Sequence, residues 1–263
     1  MPALYPKMRE RPPEFRINPA WPLRAGVKIA WCARYANSGH QHNEMASSPT
    51  GYFPDGFDTN VTKRDPILNR DVILLSYRYL RFNIQGPSTS STPFAISWWV
   101  KPRSPGSVRG LMQWYSGYIG APFILIRTYA SPPTYGLYLN KDYRLTANME
   151  NGTWYHNVVQ WNGKWQWLIN GHMVGDYPEF GALDKTMLDF GYGYNGTFDG
   201  FYADAIIWIG RALAPSEIEQ LADPSNVDLR IDGIPLILPP RRRFWPVVSE
   251  TAIPKFVPWH LFQ

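Results

Sequence analysis

The segment GYGYNGTFDG, at residues 191–200, gathers side chains that are suited to holding a sugar. Tyr192 and Tyr194 carry flat rings that can stack on the apolar face of a pyranose, and Asn195 and Asp199 can hydrogen-bond to sugar hydroxyls. The glycines leave the backbone free to bring these groups together. We therefore predict a sugar-binding loop at these four residues; the alternative is that its aromatic residues belong to the core.

Asp199 and Asp204 are candidate ligands for a cation, because carboxylate oxygens are the ligands that Ca²⁺ takes in proteins. Their spacing does not match a recognised calcium loop. The string His40-x-His42-x-Glu44 could place three transition-metal ligands on one strand face, and its alternative interpretation is a polar loop. We expect no cofactor, and calcium at Asp199 and Asp204 is the open alternative.

Patterns that would support catalysis are missing from the sequence. Glycoside hydrolysis uses a pair of carboxylates that flank the scissile bond, whereas Glu150, Glu179, Glu217 and Glu219 are isolated or lie in a predicted helix. Cys32 is the only cysteine and follows an apolar run, so it is interpreted as a core residue. The chain also lacks the Gly-x-Ser-x-Gly, phosphate-binding and dinucleotide-binding patterns. We therefore expect that this protein is not an enzyme.

Both ends of the chain are rich in proline, aromatic residues and positive charge. We predict an extended arm at residues 1–24, a β-sandwich at 25–224 and a second extended arm at 225–263. Proline disfavours helices and central strands in the arms, and their apolar residues are too many for a solvated tail. We expect the arms to bind neighbouring subunits through basic and aromatic side chains, namely Arg9, Arg11, Trp21, Arg241, Arg242, Arg243, Phe244, Trp245 and Trp259.

The distribution of charge narrows the range of partners. The net charge is +5, and the two arms carry all of it, so the middle of the chain is neutral. A nucleic-acid-binding domain would show a basic face. A transmembrane helix would need about 18 consecutive apolar residues, and no such run or apolar leader is visible. We therefore expect no nucleic acid and no membrane as partners, and synthesis in a cytoplasm.

Short strand patterns separated by Gly, Pro, Asn and Asp fill the middle of the chain, which indicates an all-β antiparallel sandwich. In FAISWWVK, at residues 94–101, alternate residues share one strand face. We predict one long strand at 72–84 and a helix at 214–221, which starts with Pro and Ser and has early acids. Asn162-Gly163 and Asn170-Gly171 both predict type I′ hairpin turns, because Asn and Gly tolerate the positive φ that such turns require.

Three segments resemble laminin G-like, concanavalin A-like lectin and glucanase domains. These are FAISWWVKPRS at 94–104, TWYHNVVQWNGKWQWLINGHMVG at 153–175 and FDGFYADAIIWIGRALAPSEIEQLADP at 198–224. The lead-in INPAWPLRAGVKIAWCARY at 17–35 is similar to phage and bacterial versions. The resemblance implies a jelly roll with one short helix. It also implies that a glycosidase would carry a Glu-x-Asp-x-x-Glu string, which is absent here, and that calcium occurs in some relatives.

Two functional hypotheses follow. The first is a non-enzymatic structural protein of a phage virion, a capsid decoration, minor capsid or tail component, made in the host cytoplasm and located in the virion. Its sandwich would face outward, and its arms would anchor it to other virion proteins or to sister subunits of a homo-oligomer. The alternative is a carbohydrate-binding lectin or adhesin module that recognises cell-surface glycans.

Overall fold

The predicted antiparallel β-sandwich is confirmed by a computed structural model. It describes residues 22–31, 33, 40–41, 51–52, 62–68, 70–76, 78–87, 89–103, 110–115, 124–128, 134–139, 142–178, 186–193 and 196–224. Both predicted arms, except for residues 22–24, lie outside the described residues, so the three-part division of the chain stays a prediction. No helix in the described ranges is long and apolar enough to span a bilayer.

The first sheet contains eight strands within the described residues, in the order β14-β13-β12-β7-β18-β5-β4, with β1 also paired to β18. Each strand runs antiparallel to its neighbours. The bounds are β1 (Val27–Trp31), β4 (Thr62–Asp65), β5 (Arg70–Leu75), β7 (Phe94–Pro102), β12 (Tyr155–Trp161), β13 (Trp165–Ile169), β14 (His172–Tyr177) and β18 (Gly200–Ile209).

The second sheet has the strand order β11-β10-β9-β8-β15-β6-β3-β2 in the described part of the chain. A small hairpin of β16 and β17 joins it, and β17 pairs with the Gly110 end of β8. The bounds are β2 (His40–Gln41), β3 (Gly51–Tyr52), β6 (Leu80–Asn83), β8 (Gly110–Tyr115), β9 (Ile124–Thr128), β10 (Thr134–Leu139), β11 (Asp142–Asn148), β15 (Met187–Phe190), β16 (Tyr192–Gly193) and β17 (Gly196–Thr197).

The core lies between the two sheets and is dominated by aromatic rings. Phe94, Ile96, Trp98 and Val100 of β7 all point into it, as the alternation in FAISWWVK predicts. The ring of Phe94 meets that of Trp114 from the opposite sheet edge-on, with 5.7 Å between centroids. Burial of such large rings supplies most of the hydrophobic stabilisation of the sandwich.

Other parts of the chain cover much of the outer face of the first sheet. The helix α1 (Pro215–Ala222), predicted at 214–221, packs Ile218 against Val158 and Leu168 of this face. The 3₁₀ turn Pro22–Arg24 adds Leu23, whose carbonyl accepts a hydrogen bond from the indole of Trp208 at 2.7 Å. Most apolar outer residues near the helix are thus removed from water, whereas Met173 of β14 keeps an exposed fraction of 48%.

The single strand predicted at 72–84 is wrong, because the chain changes sheet within it. β5 ends at Leu75 in the first sheet, and β6 begins at Leu80 in the second. The crossover is packed tightly, since a Cβ on Gly191 would lie 3.1 Å from the Arg78 carbonyl oxygen. A strand of either sheet buries one face in the same core, so the apolar pattern does not reveal the crossing.

One of the two predicted type I′ turns is confirmed and the other is wrong. Asn170 and Gly171 both have positive φ, 51° and 82°, in a two-residue turn between β13 and β14. In the other hairpin Trp161 pairs with Trp165, so its loop has three residues, and only Gly163 has positive φ. Because Lys164 lengthens the loop to three residues, positive φ is no longer required at two consecutive residues.

The two asparagines therefore give a matched pair of substitutions. We expect Asn170→Ala to lower the free energy of unfolding by about 1–2 kcal/mol, because alanine is strained at positive φ. The substitution also removes the 2.8 Å hydrogen bond that the His156 N–H donates to the Asn170 side chain. Asn162→Ala is the control, with a cost within about 0.5 kcal/mol. Urea unfolding of both variants checks the prediction, and equal costs would contradict it.

Candidate functional site

A row of polar residues crosses the outer face of the second sheet. In β6, in β15 and in residues 112–115 of β8, residues that point into the core alternate with residues that point outward. The outward residues are Arg81, Asp189 and Gln113, and they stand in register, with Asp189 opposite both of the others. Three polar side chains from adjacent strands are thereby brought side by side.

Asp189 is the centre of this row and is fully buried, with an exposed fraction of 0%. Arg81 donates to it twice, from Nε to Oδ1 at 2.7 Å and from Nη2 to Oδ2 at 2.9 Å. Gln113 donates a third hydrogen bond, from Nε2 to Oδ2 at 3.3 Å. This paired geometry fixes the plane of the guanidinium, because the bidentate fork allows one orientation only.

Two tyrosines surround the same guanidinium. The hydroxyl of Tyr115 accepts a hydrogen bond from Arg81 Nη2, and the Arg81 head lies 5.0 Å from the ring centre of Tyr79. Burial alone would lower the pKa of Arg81, but the hydrogen bonds and charge of Asp189 outweigh it and raise the pKa. Burial, together with the charge of Asp189, raises the pKa of Tyr115. Arg81 is thus a permanent cation beside the neutral phenol of Tyr115.

Tyr192, one of the predicted sugar-binding residues, extends this group. Its ring lies 4.6 Å from that of Tyr79, at an angle of 30°. The hairpin of β16 and β17 holds it there, with Tyr192 opposite Thr197. Tyr79 and Tyr192 are half-buried, and the Arg81 side chain keeps an exposed fraction of 16%. We call Tyr79, Arg81, Tyr115, Asp189 and Tyr192 the tyrosine–arginine cluster.

The other residues predicted for the sugar loop do not join Tyr192 in the described structure. Asp199 directly precedes β18 of the first sheet and forms an ion pair at 3.7 Å with Arg103, which follows β7. Tyr194 and Asn195 lie outside the described residues, as do the named residues of both arms. The structure therefore places one of the four predicted loop residues in the cluster.

Asp204 is engaged in a different contact. It lies in a bulge of β18 with a φ of 45°, and its carboxylate accepts a hydrogen bond from Arg70 of β5. Both side chains of this ion pair are almost fully buried. Among the residues that the structure describes, no three His, Cys, Asp or Glu side chains gather as metal ligands. Calcium binding at Asp199 and Asp204 stays a prediction.

A histidine and a serine lie in contact on the first sheet, as they would in a nucleophile and its base. The Ser97 Oγ and the His156 Nε2 are 2.7 Å apart. Both residues are buried, however, and Trp99 covers the imidazole with ring centres 5.1 Å apart. Burial and the nearby Arg70 lower the pKa of His156 to about 3, so the ring is neutral at physiological pH. This pair is a packed structural contact.

Sequence reasoning missed Arg81, Asp189, Gln113 and Tyr79. A local signal exists, because each member of the polar row stands alone between two large apolar residues, in LRF, LDF and MQW. Such a pattern marks an outward side chain on a strand with one buried face. It does not say which strands are neighbours, so the ion pair between Arg81 and Asp189 follows from the topology alone.

The comparison with protein families agrees with this architecture. Residues 76–219 match the family Laminin_G_3, described as the concanavalin A-like lectin/glucanases superfamily. The chain belongs to this superfamily. The match covers most strands of both sheets and includes every member of the tyrosine–arginine cluster. No curated protein sequence matches the chain.

Solved structures of other proteins share the superfamily sandwich. Domain 4 of AbnA, a GH43 extracellular arabinanase from Geobacillus stearothermophilus in complex with arabinotriose, matches with a TM-score of 0.61 and 15% identity, over 74% of this chain and 98% of that domain. The sialidase of Trypanosoma rangeli matches with a TM-score of 0.56 and 14% identity, over 75% of this chain and 32% of the sialidase.

The receptor binding domain of botulinum neurotoxin D gives a further structural match, with a TM-score of 0.57 and 12% identity, over 76% of this chain and 53% of that domain. This chain thus spans about a third of the length of the sialidase and about half of the length of the neurotoxin domain. At these identities the likeness shows the fold alone.

Proposed function

We propose that this protein is a non-enzymatic carbohydrate-binding protein that holds a glycan on the outer face of its second sheet. The observation that carries the proposal is the pair of half-buried rings of Tyr79 and Tyr192 beside the fixed guanidinium of Arg81. Aromatic faces and oriented donors are the two groups that a sugar-binding site needs. Membership in a lectin and glucanase superfamily, and the likeness to an arabinanase domain solved with arabinotriose, support this direction.

The cluster divides the work of recognition between its residues. The half-buried ring of Tyr192, packed on that of Tyr79, offers apolar surface to the C–H face of a sugar. Nη1 of Arg81 makes no hydrogen bond within the described residues and can donate to a hydroxyl or ring oxygen. Asp189 acts indirectly, because it fixes Arg81 in one orientation before any ligand arrives. Such preorganisation lowers the entropy that is lost on binding.

The state of Asp189 supports a binding role without hydrolysis. A retaining or inverting glycosidase needs two carboxylates, one of which acts as an acid. Asp189 already accepts three hydrogen bonds from Arg81 and Gln113 and is fully buried, so its oxygens are occupied and shielded from solvent. In this arrangement it can neither attack a sugar nor donate a proton to one.

Alanine substitutions of the two tyrosines test the proposal. We expect Tyr79→Ala and Tyr192→Ala each to weaken glycan binding about tenfold, because Tyr192→Ala removes the stacking ring and Tyr79→Ala removes the ring that supports it. Tyr177→Ala, a half-buried tyrosine on β14 of the first sheet, is the matched control and should bind as the wild type does. A glycan array followed by calorimetry with the retained sugar gives the measurement. Unchanged affinity in both cluster variants, with folding verified by circular dichroism, would reject the site.

The composition of the two arms supports a second role, in a virus particle. Arms rich in Arg, Trp, Phe and Pro are suited to docking on neighbouring subunits, because aromatic and arginine side chains dominate protein interfaces. In this role the chain is a phage capsid decoration, minor capsid or tail component that presents its sandwich outward as part of a homo-oligomer. A sugar-binding face and anchoring arms are compatible in one protein.

Removal of residues 230–263 tests the anchoring role. The shortened chain should keep the circular dichroism spectrum of the full chain and lose its association with particles or with its own copies. Sedimentation of virions and light scattering of the purified chain measure these two losses. A shortened chain that still co-purifies with virions in full copy number would reject the role for the C-terminal arm.

A further inference from the structure

Three Asn-Gly pairs lie in turns of the described structure, and all three asparagines are exposed to solvent. Asn151-Gly152 precedes β12, Asn162-Gly163 joins β12 to β13, and Asn170-Gly171 joins β13 to β14. An asparagine before a glycine can react with the backbone that follows it, because glycine has no side chain to hinder the approach. The three pairs differ in the contacts that hold them.

The reaction in question is the loss of ammonia from the asparagine side chain. The backbone nitrogen of the glycine gives its proton to the solvent and attacks Cγ of the asparagine. The bond from this nitrogen to Cγ forms, the bond from Cγ to Nδ2 breaks, and the released nitrogen takes up a proton and leaves as ammonia. Water then opens the five-membered succinimide at either carbonyl, which gives aspartate or isoaspartate. The glycine N–H and the asparagine amide must therefore both be available.

The pair Asn162-Gly163 has both of these groups available. In the part of the chain that the structure describes, neither the Asn162 side chain nor the Gly163 N–H makes a hydrogen bond. Gly163 is exposed, and a Cβ placed on it would have no atom within 4 Å, so the space around the pair is open. Asn162 is held through its own N–H, which donates to the Lys164 carbonyl at 3.1 Å and takes no part in the reaction.

The pair Asn151-Gly152 has its attacking nitrogen engaged. The Gly152 N–H donates a hydrogen bond to the Pro102 carbonyl at 2.7 Å. The proton in this bond is the one that must leave before the nitrogen can attack. A hydrogen bond of ordinary strength slows a step that has to break it by about tenfold.

The pair Asn170-Gly171 has its side-chain amide engaged. The Asn170 side-chain oxygen accepts a hydrogen bond from the His156 N–H at 2.8 Å, and the Asn170 N–H donates to the His156 carbonyl at 2.8 Å. Attack on Cγ turns the planar amide into a tetrahedral centre, so it displaces this oxygen and breaks the bond. A Cβ on Gly171 would also lie 3.7 Å from the Glu219 side chain, which shows how closely the helix packs there.

We infer that Asn162 is a site of spontaneous deamidation in the folded protein, whereas hydrogen bonds protect Asn151 and Asn170. The site is separate from the proposed glycan site, because its loop joins two strands of the first sheet and the tyrosine–arginine cluster lies on the second. Each event adds one negative charge beside Lys164, whose ammonium already pairs with Asp176. The folded chain thus becomes more acidic at this hairpin as it ages.

Peptide mapping of the full chain tests this order, because fragmentation in the mass spectrometer locates the change at each asparagine. The folded chain is incubated at mildly alkaline pH, with its fold verified by circular dichroism. The chain denatured in guanidinium chloride, at the same pH and temperature, gives the rate that the local sequence alone sets. We expect the ratio of the denatured to the folded rate to be near one at Asn162 and about ten or more at Asn151 and Asn170.

Amide hydrogen exchange gives an independent measurement of the two glycine nitrogens. Relative to its rate in the unfolded chain, the Gly152 N–H should exchange about tenfold more slowly than the Gly163 N–H, because only the first is hydrogen-bonded. Protection of Gly163 equal to that of Gly152 would contradict the proposed cause.

The remaining outcomes are equally decisive. Reaction at Asn162 that is about tenfold slower in the folded chain than in the denatured chain overturns the inference. Equal rates at the three asparagines of the folded chain overturn it as well, since the hydrogen bonds would then give no protection. None of these results depends on a ligand, so the proposed glycan site stands or falls separately.

Discussion

Replacement of Asp189 by asparagine is expected to lower the free energy of unfolding by about 3 kcal/mol or more. The substitution keeps the shape of the side chain but removes the charge that pairs with Arg81, whose head is only slightly exposed. It also leaves one acceptor oxygen where the carboxylate offers two to Arg81 and Gln113. The guanidinium is then left half-buried without a counter-ion, which is the costly state. Urea unfolding monitored by tryptophan fluorescence gives the measurement.

The exposed ion pair of Lys164 and Asp176 supplies the control. Both side chains of that pair are nearly half exposed, so Asp176→Asn should change the free energy of unfolding by no more than about 0.5 kcal/mol. A double variant with Asp189→Leu and Arg81→Met should lose less stability than Asp189→Asn alone, because no charge is then left unpaired. Equal losses in the free energy of unfolding for Asp189→Asn and Asp176→Asn would show that the buried ion pair stabilises the fold no more than the exposed one.

Asp189→Asn also links stability to binding. If Asp189 holds the Arg81 guanidinium in the orientation that a glycan meets, the variant should bind glycan more weakly even under conditions where it is fully folded. The sign follows from preorganisation, since a free arginine must lose side-chain entropy on binding. Asp189 is thus a positioning residue for the face.

Tyr192 shows which part of the candidate site the sequence could predict. Its ring chemistry was visible in GYGYNGTFDG, and the structure does place it in an aromatic group. Its partner Tyr79 was hidden, because the apolar run at 72–84 reads as one strand although the chain crosses there from one sheet to the other. The sequence indicated that Tyr192 could bind a sugar, but its contact with Tyr79 depends on the sheet topology.

Arg127 of β9 shows that the pairing of a strand with its neighbours is also not predictable from the sequence of that strand. The strand around it was predictable from ILIRT, and so was its outward direction. The two glycines opposite it, Gly110 in β8 and Gly136 in β10, lie 17 residues before and 9 residues after it. Their position beside it depends on a register that contains a bulge between Gly110 and Met112. Strand periodicity alone does not encode such a register.

Replacement of Asp204 by asparagine should also cost about 3–5 kcal/mol, since it breaks the almost fully buried ion pair with Arg70. Asparagine tolerates the φ of 45° at this position, so backbone strain does not contribute and the loss measures the charge. Asp71→Asn, which removes the looser and more exposed pair with Arg64, is the control and should cost less than about 1 kcal/mol.

Asp204→Asn also distinguishes between two roles of Asp204, namely pairing with Arg70 and binding calcium. If Asp204 serves Arg70 alone, the unfolding curves of the wild type and of Asp204→Asn should not move between millimolar calcium and a chelator. If Asp199 and Asp204 bind calcium, the wild type should gain stability with calcium concentration, as any ligand of the native state produces, and Asp204→Asn should not. We expect the first result, because each of the two carboxylates already has an arginine as its partner.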